Sequence, residues 1–152
     1  MRFVSAFLFF FFLHNVTSFL IARSFPAQTE WYMALSKAPW HPPAYVFAPV
    51  WFLIYTLISL SLTMVLFQEH PLRMRALVFY FVQLVFNFSW TPVFFGLHAV
   101  KVALCVLFFL DYLVFYCLRY FYEIDAKAAY LLFPYLFWLI YATTLNAYIV
   151  FH

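Results

Sequence analysis

Residues Lys37 to Tyr55 read K-A-P-W-H-P-P-A-Y-V-F-A-P-V-W-F-L-I-Y. A proline- and tryptophan-rich loop passes straight into an apolar run that persists to Phe67. Proline fixes φ and lacks an amide donor, so Pro39, Pro42 and Pro43 predict a stiff loop. Beyond them, Val46–Phe67 supplies the roughly 20 apolar residues that a membrane-spanning helix needs. Working outward, four more stretches qualify: Phe3–Ala22 upstream, and Leu72–Phe95, Val100–Tyr122 and Ala126–Phe151 downstream. The expected fold is an all-α integral membrane protein. It is a single 1–152 domain, a bundle of five transmembrane helices over residues 3–22, 46–67, 72–95, 100–122 and 126–151. The loop 23–45 is the one long connection.

Composition agrees. Apolar residues make up 69% of the chain and charged residues 9%, against about 45–50% and 25% in soluble domains. Too little polar surface is available to cover a globule in water, so the lipid bilayer is the expected solvent. The net charge of +3 comes from Lys and Arg scattered along the chain with no basic stripe, which argues against a nucleic acid partner. Cys105 and Cys117 lie about 18 Å apart along one helix, too far to pair, and read as small apolar residues. The five histidines have no metal-ligand spacing, so no metal site is expected. N-V-T at Asn15 and N-F-S at Asn87 match a glycosylation pattern but fall inside apolar spans, where they should be silent.

The first stretch starts with Arg2 and an apolar core, as a signal peptide would. Its apolar run is too long for that, no clean cleavage site follows, and Arg23 flanks it, so a retained helix is expected. Five helices put the termini on opposite sides. Arg2, Arg73, Arg75, Arg119 and Lys127 share the N-terminal side, against Arg23, Lys37 and Lys101. That bias favours a cytoplasmic N-terminus.

Polar groups inside a membrane are costly and usually face the bundle interior. Gln83, Asn87, Trp90 and Thr91 share one face of the third span. Phe47, Trp51 and Tyr55 repeat every four residues on the second, as do Pro134, Trp138, Ala142 and Asn146 on the fifth. Such stripes serve either as core packing or as the wall of a small-molecule pocket with few polar groups. An alanine one turn beyond a tryptophan, as at Ala142 and Trp138, leaves a gap beside a flat wall. Asp111 sits at the centre of the fourth span between Phe108 and Phe115. An ionised Asp there costs roughly 2.5–3.5 kcal/mol, so it should turn inward and be protonated or bonded to Trp, Tyr or Gln. No second acid at that depth accompanies it to form a proton relay.

Two further stretches complete a pattern with Lys37–Tyr55. Gln83 to His98 reads Q-L-V-F-N-F-S-W-T-P-V-F-F-G-L-H, and Pro134 to Asn146 reads P-Y-L-F-W-L-I-Y-A-T-T-L-N. In this order and spacing they resemble the TspO/MBR family: the tryptophan-rich sensory proteins and the translocator protein, or peripheral benzodiazepine receptor. The resemblance covers most of the chain, from Trp31 to Ile149. It implies a five-helix membrane receptor or sensor that binds tetrapyrroles such as protoporphyrin IX in an intrabundle pocket. The long first loop would act as a lid. Carried over by motif, the ligand-binding residues would be Trp51 and Tyr55, Asn87 and Trp90, Asp111, Trp138 and Ala142, with Tyr32 and Pro42 closing from the loop. The resemblance also implies a homodimer and porphyrin as ligand with no required cofactor. The location would be a bacterial membrane, or the mitochondrial outer membrane in a eukaryote. Two alternatives stand beside the receptor. One is a light-assisted, oxidative porphyrin-degrading enzyme with Trp51 or Trp138 as the redox-active side chains. The other is a porphyrin or steroid transporter, against which the lack of broken helix pairs and inverted repeats counts. Eukaryotic members carry a C-terminal cholesterol-recognition pattern. Leu145 and Tyr148 fit it here, but no Lys or Arg follows, so weak sterol affinity is expected.

Overall fold

The computed structural model describes residues 1–27 and 29–152. The described residues are helical throughout their length apart from short connections, and five helical stretches are long and apolar enough to cross a membrane. α1 (Arg2–Ser24) is followed by the short loop helix α2 (Glu30–Ala34). A 3-10 turn, Ala44–Val46, leads into α3 (Phe47–Leu66). α4 (Arg73–Thr91) continues as a π-helical turn, Pro92–Gly96. α5 (Val100–Ile124) is next, then α6 (Ala126–Tyr130) and α7 (Phe133–Phe151).

Two spans read from sequence as continuous helices are interrupted, both at proline. The stretch 72–95 changes from α to π at Pro92. The missing amide of Pro92 and its ring clash disrupt the regular ladder, and Leu97 N instead bonds Pro92 O across five residues at 2.9 Å. The stretch 126–151 loosens to a turn at Leu131–Leu132, and helix resumes at Phe133 with Pro134 in its first turn. Asp125 starts this last stretch as an N-cap, accepting from Lys127 N and Ala128 N.

α5 packs between α4 and α7, while α1 lies mainly on α3. The core runs through Ile54, Ile58, Leu62, Tyr80, Leu110, Phe121, Tyr135 and Leu139, all nearly inaccessible. Outward faces are apolar as well: Phe9, Phe12 and Phe19 of α1, and Phe108, Tyr112 and Phe115 of α5, are exposed. An apolar exterior over an apolar core is what a lipid environment permits and water does not. Cys117 is buried in the core and Cys105 faces outward.

α1 is held to its neighbours by more than apolar contact. His14 is fully buried, with Nδ1 2.6 Å from Ser59 Oγ and Nε2 3.3 Å from the Tyr80 hydroxyl. Ser59 Oγ in turn donates to Tyr55 O at 2.6 Å. Ser59 therefore receives the His14 Nδ1 proton, and Nε2 is left as an acceptor that shares the Tyr80 hydroxyl with Ile58 O, each 3.3 Å from it.

Candidate functional site

Because the spanning helices alternate in direction, the end of α1, the start of α3, the end of α4, the start of α5 and the end of α7 meet at one face of the bundle. There they enclose a chamber of about 490 Å³. Trp51 stacks on Tyr55 with ring centres 5.3 Å apart, and Trp138 meets Phe47 edge-on at 5.8 Å. The π turn presents Phe94 and Phe95, and Trp90 stacks on Phe94 at 4.9 Å. π turns recur at functional sites because they re-aim side chains that a regular helix would turn away.

The floor is a chain of buried hydrogen bonds between helices. The Tyr55 hydroxyl donates to Asn87 Oδ1 at 2.7 Å, Asn87 Nδ2 donates to the Tyr135 hydroxyl at 2.9 Å, and Tyr135 donates to Gln83 Oε1 at 2.7 Å. Every member of this chain is buried, and Asn87 and Tyr135 each both accept and donate within it, which is what makes such a network stabilising. One turn further along α4, Trp90 Nε1 donates to Asn146 Oδ1 at 3.2 Å, and Asn146 Nδ2 donates to Val100 O at 3.0 Å.

The roof comes from the loop. Thr29 Oγ1 caps α2 by accepting from Tyr32 N, and Lys37 Nζ caps its other end by donating to Tyr32 O at 2.7 Å and Met33 O at 3.3 Å. Trp31 stacks on His98 at 4.0 Å between ring centres. His98 holds a φ of 54°, a left-handed conformation uncommon outside glycine. At the far end, Trp40 Nε1 donates to Thr144 Oγ1, and the Tyr141 hydroxyl donates to Trp40 O at 2.6 Å. Between these anchors the Tyr32 hydroxyl lies 2.8 Å from His41 Nε2. Burial pushes Tyr32 above its ordinary value of 10.0. Burial pushes His41 below 6.5, helped by the Lys37 charge and opposed by a backbone hydrogen bond at Pro42.

Of the residues singled out from sequence, Tyr32, Trp51, Tyr55, Asn87, Trp90, Trp138 and Ala142 are brought together on the chamber wall. Two are not. Asp111 stands off the wall because Leu107 and Leu110 occupy the chamber side of α5. One residue further round, Asp111 points along the seam with α7, where Oδ2 accepts from Thr143 Oγ1 at 2.8 Å. Its partner is thus a threonine rather than the expected Trp, Tyr or Gln, and its Oδ1 is buried without a partner. Pro42 also lies off the wall, since His41 and Ala44 on either side of it face the chamber. On α7 the exposed Pro134 leaves the stripe that Trp138, Ala142 and Asn146 continue.

Several wall residues carried no sequence signal. Ser18, Ile21 and Ala22 come from α1, whose ring of apolar residues hides which face is inward. Phe25 and His41 come from aperiodic loop. Among the described residues no group of three or more His, Cys, Asp or Glu is arranged to hold a metal ion.

The family model described as "TspO/MBR family" matches residues 6–152 of this chain. The proteins named Translocator protein from Bos taurus and from Ovis aries are each 48% identical to it over 27 residues. That aligned segment is 18% of this chain and 16% of either relative.

Proposed function

The chain belongs to the TspO/MBR family, and from that premise we propose that its lidded chamber binds a flat apolar tetrapyrrole of the protoporphyrin IX type, with a sensing or regulatory outcome. Family membership supports a translocator- or sensor-type role in a multi-pass membrane protein. The observation that carries the ligand reading is the wall itself. Trp51, Trp90 and Trp138 reach one chamber from three helices, with Asn87 and Asn146 as sparse polar points. Aromatic faces stack with planar rings, and a few fixed amides orient them, the usual chemistry of a small-molecule site. A volume of about 490 Å³ falls within the range of ligand pockets, roughly 300–1,000 Å³.

The test is titration of the purified protein with protoporphyrin IX, followed by tryptophan quenching and pigment absorbance in darkness and under illumination. Saturable quenching with an unchanged pigment is the expected result. Bleaching to a defined product, lost on substitution of Trp51 or Trp138, would instead identify a degrading enzyme. Absence of saturable quenching would remove the tetrapyrrole reading.

A further inference from the structure

The aromatic stack on the chamber wall continues out of the chamber. Trp51 lies over Tyr55 with ring centres 5.3 Å apart and planes within 25°. Behind Tyr55 the His14 imidazole follows at 6.2 Å and 26°, and Tyr80 follows His14 at 6.0 Å. Trp51 and Tyr55 line the chamber, whereas His14 and Tyr80 lie off it and are fully buried. One run of conjugated rings thus leads from the wall into the core, built from α3, α1 and α4. The run is short. The Tyr80 hydroxyl reaches Ile58 O at 3.3 Å, and Ile58 stands seven residues beyond Trp51, about 10 Å along α3. Electron tunnelling falls off exponentially with the gap between donor and acceptor, so packed rings over this length carry an electron readily.

The two tyrosines of the run differ in what receives their protons. Tyr55 donates to the amide oxygen Asn87 Oδ1 at 2.7 Å, a base too weak to keep a proton. Tyr80 faces His14 Nε2 at 3.3 Å. With Nδ1 protonated toward Ser59 Oγ at 2.6 Å, Nε2 is the nitrogen that carries the lone pair. A phenol that loses an electron becomes a strong acid, and of these two Tyr80 alone has a nitrogen base beside it.

We propose that Tyr80 and His14 form a redox pair that drains oxidising equivalents from Trp51 at the chamber wall. The oxidant is a light-excited planar pigment in the chamber, so the proposal rests on the tetrapyrrole reading above. One electron passes from Trp51 to the pigment, which is thereby reduced. An electron from Tyr80 then refills Trp51 through the intervening rings. The Tyr80 O–H bond breaks, its proton forms a bond to His14 Nε2, and the Tyr80 oxygen is left as a neutral radical. Trp51 ends unchanged, and the positive charge it held for a moment rests on the His14 imidazolium. A buried cation needs hydrogen-bond partners. Ser59 provides one, accepting from His14 Nδ1 while its own hydroxyl donates to Tyr55 O at 2.6 Å, an aligned chain that polarises in the right sense. Both members of the pair are inaccessible to solvent, so the proton stays at hand and returns to Tyr80 when the pigment gives its electron back. The wall tryptophan is spared lasting oxidation.

The experiment uses the full chain in detergent, first without pigment. A deep-ultraviolet flash ejects electrons from tryptophan, and added cadmium ions take them up. Transient absorption should show tryptophan radical giving way to tyrosyl radical at a rate independent of protein concentration, and freeze-trapping should give a tyrosyl signal by electron paramagnetic resonance. Trp51→Phe should remove the fast transfer. Tyr80→Phe, which deletes one oxygen and keeps the ring, should remove the tyrosyl signal and slow decay of the tryptophan radical about tenfold or more. His14→Gln keeps a hydrogen-bonding side chain without the base and should slow the transfer, with helicity by circular dichroism at the parent level. A tyrosyl radical of parent yield and rate in Tyr80→Phe overturns the proposal, as does a parent protein with no such transfer. Protoporphyrin IX is then added and excited with visible light. A tyrosyl radical formed in the parent and missing in Tyr80→Phe supports the relay from the chamber. Bound pigment that yields no tyrosyl radical overturns it while the chamber reading stands. If the pigment does not bind although the ultraviolet flash drives transfer, the tetrapyrrole reading falls and takes the pigment as oxidant with it, and the pair itself is supported.

Discussion

Trp138 and Ala142 stand one turn apart on α7, the first offering a flat face to the chamber and the second leaving room beside it. Base–aromatic stacking is worth about 1–3 kcal/mol per base, and a porphyrin should stack comparably. Trp138→Ala should therefore weaken protoporphyrin IX binding roughly ten- to a hundredfold, read by isothermal titration. Ala142→Trp should block binding by occupying the gap, with helicity by circular dichroism unchanged. Parent-like binding in both variants would reduce these aromatics to packing. Asp111 makes the opposite case. Its side chain lies off the wall and its Oδ1 has no partner, so Asp111→Asn should leave ligand affinity unaltered and hold or raise thermal stability. A loss of affinity would return Asp111 to the site. In the lid, folding favours neutral His41, whose value lies below 6.5. The unfolded segment takes up protons first as pH falls, so this stabilisation is present above 6.5 and lost as pH falls through the lowered value. Tyr32 is the mirror image. Its value is raised above 10.0, so stability declines as pH rises beyond that point. Amide-exchange protection of residues 30–41 should accordingly be flat between these limits and decline on both sides. A monotonic profile would contradict the burial of these two side chains beneath the lid.

At the level of elements, the π turn and the end of α1 touch at one place. A methyl group added at Gly96 would lie 2.7 Å from two ring carbons of Phe25. Phe25 lines the chamber, so relief of that contact comes by turning its ring. Gly96→Ala should keep the fold and lower ligand affinity by about tenfold. Unchanged affinity would show that Phe25 yields away from the chamber. The spans themselves were readable from apolar run length, and the shared faces of α3, α4 and α7 from their helical spacing, whereas the use of those faces as a chamber wall rather than core was implied only by the family resemblance. Three things were not readable. Pro92 and Pro134 mark breaks whose form depends on which carbonyls find new donors. α1 is apolar on all sides, so its buried face is set by His14 meeting Ser59 and Tyr80, a contact between distant parts of the chain. Asp111 was misplaced by one step of about 100° around α5, a distinction made by Leu107 and Leu110 packing inward.

For the whole molecule, five spans in alternation place the two termini on opposite faces. With Cys105→Ala and Cys117→Ala as background, single cysteines at Arg2→Cys and His152→Cys should label from opposite sides of a sealed membrane. Labelling of both from one side would break the five-span arrangement. The buried chain from Tyr55 through Asn87 and Tyr135 to Gln83 closes the chamber from beneath, while the roof is tied down at Trp31 and at Trp40. A ligand that enters past this roof fills and empties the chamber at the pace of the loop's opening. The observed association rate should therefore level off as ligand concentration rises, at a plateau set by loop opening and shared by ligands of different affinity. Trp40→Ala, which unlatches the α7 end, should lift that plateau and shorten residence time together, leaving the equilibrium constant far less altered than either rate.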